Sequence, residues 1–144
     1  MSSSGTFLWL EIIGLVIWAL GLITETVADL QKYSFSSNAE NKGKFIAEGL
    51  WSVSRHPNYA GEILVWIGAA VFAGSSLKDE QFVTLISPLF VIILIWKVSG
   101  VNLLEEKADK RWADDSAYQK YKRNTSVLFP LPKCEAEGPQ DSLV

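Results

Sequence analysis

Three long apolar runs divide the chain, at residues 7–24, 59–77 and 82–104, and each contains one charged side chain. Each run approaches the roughly 20 residues that an α-helix needs to cross the hydrocarbon core of a bilayer. None shows a regular polar face, which disfavours the alternative of three buried core helices in a water-soluble bundle. The pattern therefore predicts three transmembrane helices, over about residues 7–29, 58–77 and 82–104.

Polar segments connect and follow these runs. Residues 31–51 are rich in Ser, Asn and Gly, which is typical of a loop with short ordered pieces, and residues 75–81 indicate a tight turn. The charged segment at about residues 105–123 predicts an amphipathic helix. Residues 133–144 predict a mobile polar tail. We expect a single membrane domain over residues 1–132.

The first apolar run is predicted to be a retained helix rather than a signal peptide. The preceding segment, "MSSSGT", contains no Lys or Arg, and no small-residue cleavage site follows the run. A secretory signal peptide usually has both features.

Basic residues are distributed unevenly between the two predicted membrane faces. The segment before the first run has none, the turn after the second has Lys78 alone, and the C-terminal part has seven. The positive-inside rule then places the N-terminus outside and the C-terminus in the cytoplasm. It does not distinguish the endoplasmic reticulum from a bacterial inner membrane. The expected fold class is an all-α, polytopic membrane protein with about three transmembrane helices and a C-terminal cytoplasmic amphipathic helix.

Composition agrees with this organisation and excludes some functions. Apolar residues make up 49% and charged residues 20% of 144 residues, and the mean hydropathy is +0.17, which fits membrane helices with polar ends. A net charge of −3 argues against a nucleic-acid partner. One His and one Cys are too few for a His/Cys metal site, so we expect no metal.

The predicted topology brings polar helix ends together at the cytoplasmic face. Glu25, Asp29 and Lys32 have the spacing of one helix face near the end of the first helix. The stretch "SRHPNYAGE", residues 54–62, begins the second helix on the same side, and Lys97 lies near the end of the third. This arrangement predicts a polar pocket that opens to the cytoplasm. For Lys32 alone, a solvated helix end is an equally simple interpretation.

The start of the second helix has features of an anion site. Pro57 suits the first helical turn, where its missing N–H costs nothing. Free backbone N–H groups and the helix dipole there favour a phosphate or carboxylate, and Arg55 adds a bidentate cation. The alternatives are a lipid-headgroup contact for Arg55 and a capping or supporting role for His56. Glu62 lies one turn into an apolar helix and therefore needs a partner or a function.

The C-terminal helix allows two interpretations. Its Lys and Arg side chains suit a surface helix that lies on lipid headgroups. Alternatively, Trp112, Tyr118 and Tyr121 close as a lid over an anionic cofactor, together with the neighbouring bases.

The stretches "GLWSVSRHPNYAGEILVWIGAAVFA" and "SGVNLLEEKADKRW…YQKYKRNTSVLFP" resemble the C-terminal domain of the steroid 5-alpha-reductase family, in its bacterial-type DUF1295 branch. "ETVADLQKYSF" resembles the same branch, so the likeness covers about residues 25–130. The short RHPxYxG element is less specific, because isoprenylcysteine carboxyl methyltransferases and sterol reductases carry similar forms.

The resemblance implies NADPH as cofactor and hydride transfer to the carbon–carbon double bond of a steroid-like or other lipid enone. It implies catalytic roles for Glu62, near the substrate carbonyl, and for Tyr59. Glu105 falls where the steroid reductases have a His. The resemblance and the predicted lid together make cofactor-binding candidates of Glu25, Asp29, Lys44, Arg55, His56, Asn58, Glu105, Tyr118, Tyr121, Lys122 and Arg123.

Two other functions stay open at the level of sequence. The first is a membrane methyltransferase that uses S-adenosylmethionine. The second is a catalytically incomplete membrane partner protein, because family members usually carry further helices before this region. In that case a homo-oligomer or a membrane partner would complete the bundle. The expected contacts are membrane lipid and a hydrophobic small-molecule substrate.

Overall fold

The computed structural model describes residues 3–75, 85–98 and 100–130, and the regular elements in these ranges are all helical. The all-α class is therefore confirmed for this part of the chain. Short 3-10 turns occur at Ala39–Asn41 and Gly49–Ser52. The α-helices are α1 (Ser3–Ser37), α2 (Pro57–Gly74), α3 (Ile86–Ile93), α4 (Val101–Arg111) and α5 (Ser116–Asn124).

Helices α1 and α2 form an antiparallel pair whose backbones touch at glycines. A Cβ atom added to Gly21 would lie 2.6 Å from the backbone nitrogen of Val65 and 2.7 Å from the carbonyl oxygen of Gly61. One Cβ added to Gly68 would lie 2.4 Å from the backbone nitrogen of Trp18. On each helix the glycines are two turns apart and share a face, so the two helices pack more closely than any side chain permits.

The chain after α5 returns to the start of α2. The backbone N–H groups of Arg55 and His56 donate to the carbonyl oxygens of Ser126 (2.8 Å) and Val127 (3.1 Å), which forms one parallel bridge. Leu128 then enters the apolar core, which it shares with residues of α2 and α4. This pairing brings α5 and the beginning of α2 to the same end of the molecule.

Two helical stretches are long and apolar enough to cross a membrane, Leu8–Ser37 and Ile86–Arg111. Only 11% and 19% of their apolar windows are buried, which is far less than in the core helix of a soluble protein. Both observations support a membrane protein. The middle helix α2, of 18 residues, is not one of these two stretches, so the third crossing stays a prediction.

Helix boundaries differ from the sequence-based expectation in three places. Helix α1 continues to Ser37, beyond the predicted end near residue 29. The third apolar run is not one regular helix, because α3 passes into a π-helical turn at Leu94–Val98 and α4 begins anew after Gly100. The C-terminal helix is divided, since the Asp115 side chain caps a new helix by accepting from the N–H groups of Ala117 and Tyr118. The predicted tail, residues 133–144, lies outside the described residues.

We expect Gly21→Ala to lower the free energy of unfolding by about 1–3 kcal/mol, because its new methyl group overlaps the α2 backbone. The measurement is unfolding of the detergent-solubilised protein by a denaturing detergent. Gly74→Ala is the matched control, since a Cβ at Gly74 meets no atom of the described residues within 4 Å. Equal stability of the two variants would contradict the close glycine contact.

Candidate functional site

The Glu105 carboxylate lies at the centre of a charged cluster. Its Oε1 is 2.7 Å from Nε2 of His56, and its Oε2 is 3.0 Å from a guanidinium nitrogen of Arg55. The Lys122 ammonium lies 3.9 Å from the same Oε2. The Glu105 side chain is only 17% exposed, so these contacts replace most of its hydration. Charge-assisted hydrogen bonds to a partly buried carboxylate are strong, so Glu105 holds Arg55 and His56 in place.

The backbone positions Arg55 and His56 for this contact. Both residues precede α2 and are paired with the chain after α5, as described above. The Ser54 hydroxyl accepts from the His56 N–H at 3.2 Å, and the Arg55 guanidinium also donates to the carbonyl oxygen of Lys122 at 3.2 Å. The sequence predicted that an anion would bind at this helix start. In the structure, the Glu105 side chain brings a carboxylate to Arg55 and His56.

A second charged pair joins α4 to α5. The Lys122 ammonium lies 2.5 and 2.6 Å from the two oxygens of Asp109, and the Tyr118 hydroxyl donates to Asp109 at 3.2 Å. Burial, reinforced by the neighbouring Asp109 carboxylate, raises the pKa of Tyr118 to about 12. The phenol therefore keeps its proton at neutral pH and acts as a donor.

Tyr121 connects α5 to α1 through Trp51. Its hydroxyl donates to the Trp51 carbonyl oxygen, and the Trp51 indole N–H donates to the carbonyl oxygen of Ala28 at 3.0 Å. Burial raises the pKa of Tyr121 above its usual range, so the donor stays neutral. The Tyr121 ring also stacks on Phe45, with 5.3 Å between ring centroids.

These contacts surround a cavity of about 390 Å³ between the end of α1, the loop before α2, and helices α4 and α5. Aromatic rings form much of its wall. Phe45 lies 5.9 Å from Trp112 and 5.3 Å from Tyr118, both in edge-to-face orientation. The cavity thus combines flat apolar surfaces with the charged cluster around Glu105.

Positive side chains dominate the cavity lining. Within the described part of the chain, Glu105 is the one carboxylate there, against five cations: Lys32, Lys44, Arg55, Lys107 and Arg111. Lys32 lies 5.2 Å from the centroid of the Trp51 ring, and Arg111 lies 4.9 Å from that of Trp112. Neither Lys44 nor Lys107 has a carboxylate within ion-pair distance among the described residues. The cavity is therefore suited to an anionic ligand with planar rings.

The structure brings together many of the predicted site residues at this cavity. Its lining includes Lys44, Arg55, His56, Glu105, Tyr118 and Tyr121. Lys122 joins the cluster from outside the lining through Asp109 and Glu105. Arg123 is exposed and does not line the cavity.

Of the remaining predicted residues, Glu25, Asp29 and Glu62 lie along the seam between α1 and α2, and Asn58 lies in the first turn of α2 outside the cavity lining. Gly61 touches the backbone of Glu25, and Glu25 lies within electrostatic reach of both Glu62 and Asp29. Tyr59 packs against the apolar core, with its ring centroid 6.1 Å from that of His56. Glu25, Asp29 and Glu62 therefore form a separate acidic group outside the cavity lining.

Sequence reasoning missed several residues of the cavity region. Asp109 is four residues after Glu105, so helical spacing alone already placed both carboxylates on one face of α4. Lys107 and Arg111 could have been selected from the sequence, because they are basic residues of the predicted lid. No pattern in the sequence marks Phe45, because it belongs to an irregular loop and contacts α5 only in the folded chain.

Comparison with known proteins gives one family and two relatives. The family described as "Protein of unknown function (DUF1295)" matches residues 1–125. The protein named "Probable O-methyltransferase ustE" from Ustilaginoidea virens is 39% identical over 100 residues, which are 68% of this chain and 32% of that protein. "Delta(14)-sterol reductase" from Arabidopsis thaliana is 24% identical over 115 residues, 72% of this chain and 30% of that protein.

The chain thus spans about a third of the length of the curated relatives it matches. No solved structure matches it significantly. One relative is named as a reductase and the other as a methyltransferase, so their names do not select one reaction. The family match, in contrast, covers most of the chain and includes both the glycine seam and the Glu105 cluster. The chain therefore belongs to the DUF1295 family.

Proposed function

We propose that this protein is an NADPH-dependent membrane oxidoreductase that reduces a carbon–carbon double bond of a steroid-like or other lipid enone. The observation that carries the proposal is the cation-rich, aromatic cavity over Glu105. NADPH is polyanionic and contains two flat ring systems. Lysine and arginine side chains complement its phosphates, while aromatic walls complement its rings.

The charge of the cavity also favours NADPH over S-adenosylmethionine. S-adenosylmethionine carries a sulfonium and an ammonium group, which five lining cations would repel. Glu105, the carboxylate in the described lining, already contacts Arg55 and His56. Like charges in a partly desolvated site are costly, so this lining supports the phosphate-bearing cofactor.

Two unsatisfied polar atoms, one of them on the cavity residue Arg55, give a second indication of a ligand near this end of α2. Nε of Arg55 and Oδ1 of Asn58 are buried and have no hydrogen-bond partner among the described residues. Such atoms normally cost free energy unless a ligand or water pairs with them. In the cavity, Arg55 would offer its N–H to a phosphate oxygen. Asn58 is outside the lining, and its amide oxygen would accept from a donor on a part of the ligand that extends beyond the cavity. Lys44 and Arg111 would hold further phosphate oxygens.

In the proposed reaction, the cofactor and the side chains of the protein have different roles. When bound, NADPH supplies the hydride that the β-carbon of the enone gains, and solvent water supplies the proton that the α-carbon gains. The Tyr59 hydroxyl and a protonated Glu62 carboxyl, both in the first turns of α2, would donate hydrogen bonds to the carbonyl oxygen of the enone and stabilise the negative charge that develops on it. The surrounding apolar surface of α1 and α2 would bind the hydrophobic body of the substrate and exclude water.

A methyltransferase that uses S-adenosylmethionine is the second candidate. The specific observation in its favour is the 39% identity to a protein named as an O-methyltransferase. A partner protein without its own turnover is the third candidate. A second copy or another membrane protein would then complete the substrate site.

The proposal includes an orientation in the membrane, with the N-terminus outside and the cavity at the cytoplasmic face. The support is the distribution of basic residues and the position of the Glu105 cluster beyond the apolar runs. This orientation gives the cavity access to a water-soluble cofactor.

Cofactor titration separates the candidates. At a hundredfold excess over its dissociation constant, NADPH should stabilise the detergent-solubilised protein by about 2.7 kcal/mol in thermal unfolding. S-adenosylmethionine should give no shift, because the cavity cations repel it. Stabilisation by S-adenosylmethionine alone would overturn the reductase assignment, and stabilisation by neither would favour the partner-protein alternative.

The same titration assigns the cofactor to this cavity through two matched variants. Lys44→Ala should weaken NADPH binding about tenfold, because it removes one charge-assisted hydrogen bond of about 1.5 kcal/mol. Lys120→Ala removes the same charge from an exposed position outside the lining and should leave the affinity unchanged. Equal losses from both variants would indicate a general charge effect rather than binding in the cavity.

Thiol labelling tests the orientation, because the chain has a single cysteine, Cys134. A membrane-impermeant maleimide should label Cys134 only after the cells are permeabilised. In the variant that combines Cys134→Ser with Ser4→Cys, labelling should occur without permeabilisation. The reverse pattern would invert the proposed topology.

A further inference from the structure

His56 is the single histidine of the chain, and only one of its ring nitrogens is engaged. Its Nε2 lies 2.7 Å from a Glu105 oxygen, whereas Nδ1 has no partner among the described residues. The ring lines the cavity and the residue is only 8% exposed. The Glu105 contact therefore determines how a buried imidazole faces a ligand.

The chemistry of this contact sets the roles of both nitrogens. Arg55 and Lys122 lie on the other side of Glu105 and favour its ionised form. An ionised carboxylate can only accept hydrogen bonds, so Nε2 must carry the proton that bridges to Glu105. When the ring is neutral, Nδ1 is then left with a lone pair that can accept from an N–H or O–H donor.

We propose that Glu105 is a positioning residue, which holds His56 with its Nδ1 available as a hydrogen-bond acceptor for a ligand in the cavity. Glu105 acts through His56 and makes no contact with the ligand itself. The ligand group would be an amide or hydroxyl donor, such as the carboxamide or a ribose hydroxyl of NADPH. This choice of ligand rests on the proposed function, whereas the positioning of His56 does not.

The backbone explains why the arrangement needs Glu105. His56 precedes the first residue of α2 and makes no side-chain cap to that helix. Its backbone is held by Val127, but the described contacts of its side chain are the Glu105 bond and a ring contact with Tyr59. Without the carboxylate, rotation about the side-chain bonds would remove Nδ1 from its position.

The first test observes the His56 N–H proton directly. With ¹⁵N-labelled histidine and the full chain in detergent micelles, the wild type should show one exchange-protected, downfield ring N–H signal. Glu105→Ala should abolish that protection. Glu106→Ala is the matched control, since Glu106 is exposed and pairs only with Lys110 in the described contacts. Glu105→Gln is a second variant that keeps the side-chain volume and guards against loss of the fold.

The second test measures the NADPH dissociation constant in a double-mutant cycle. His56→Ala and Glu105→Ala should each weaken binding about tenfold, and the double variant should bind no more weakly than His56→Ala alone. Such non-additivity means that Glu105 acts through His56. Losses that add in the double variant would show that Glu105 affects binding by a route other than His56, either through Arg55 or by a direct contact, and would overturn the proposal.

The two tests also separate this inference from the proposed function. A protected N–H signal that persists in Glu105→Ala would overturn the positioning role, whatever the cofactor. Glu105→Gln retains an acceptor oxygen, so that variant tests the fold rather than the contact. If the wild type binds no NADPH but the signal depends on Glu105, the NADPH assignment fails and the positioning of His56 stands.

Discussion

The contact of the Glu105 carboxylate with Arg55 and His56 is the interaction on which the functional end of the molecule depends. A carboxylate and a guanidinium that are both largely buried must pair, because loss of one partner leaves an uncompensated charge at a cost of about 3–5 kcal/mol. The pair joins α4 to the start of α2. Through Lys122 and Asp109 it also extends to α5. One carboxylate thus connects three helices around the cavity.

The glycine contacts between α1 and α2 supply the other constraint. Because the two backbones touch at Gly21 and Gly61, their apolar side chains point outward rather than toward each other. This packing leaves an apolar exterior that suits lipid, and it confines polar contacts to the helix ends. It also separates two groups of charge: the acids near Glu25 and Glu62 on the seam, and the cation-rich cavity beside them.

The sequence predicted the long helices and the polar end well, because both depend on local patterns. Apolar runs indicated α1 and α2, and Pro57 indicated where α2 begins. Contacts between segments that are far apart in the sequence could not be predicted from local patterns. The bridge between Ser54 and Ser126 depends on backbone groups that no residue pattern marks. The glycine seam likewise becomes visible only when the partner helix is known.

Some of the residues predicted for the candidate site lie together in the structure, and others do not. The residues 55, 56, 105 and 121 do converge, since the topology brings the helix ends together. The sequence assigned the anion at α2 to a ligand, however, and the structure shows the side chain of Glu105 there. The charges available to a ligand are therefore those of Lys44, which the sequence selected, and of Lys107 and Arg111, which it did not.

The central claim is that these cations make the cavity a site for a phosphate-bearing cofactor. The most direct measurement is the NADPH dissociation constant of the wild-type protein between about 0.01 M and about 0.15 M salt, where the screening length falls from about 30 Å to about 8 Å. The account predicts binding that weakens steeply as salt rises, because the lining lysines and arginines are partly exposed. Affinity that does not change with salt, or the absence of NADPH binding at low salt, would contradict it.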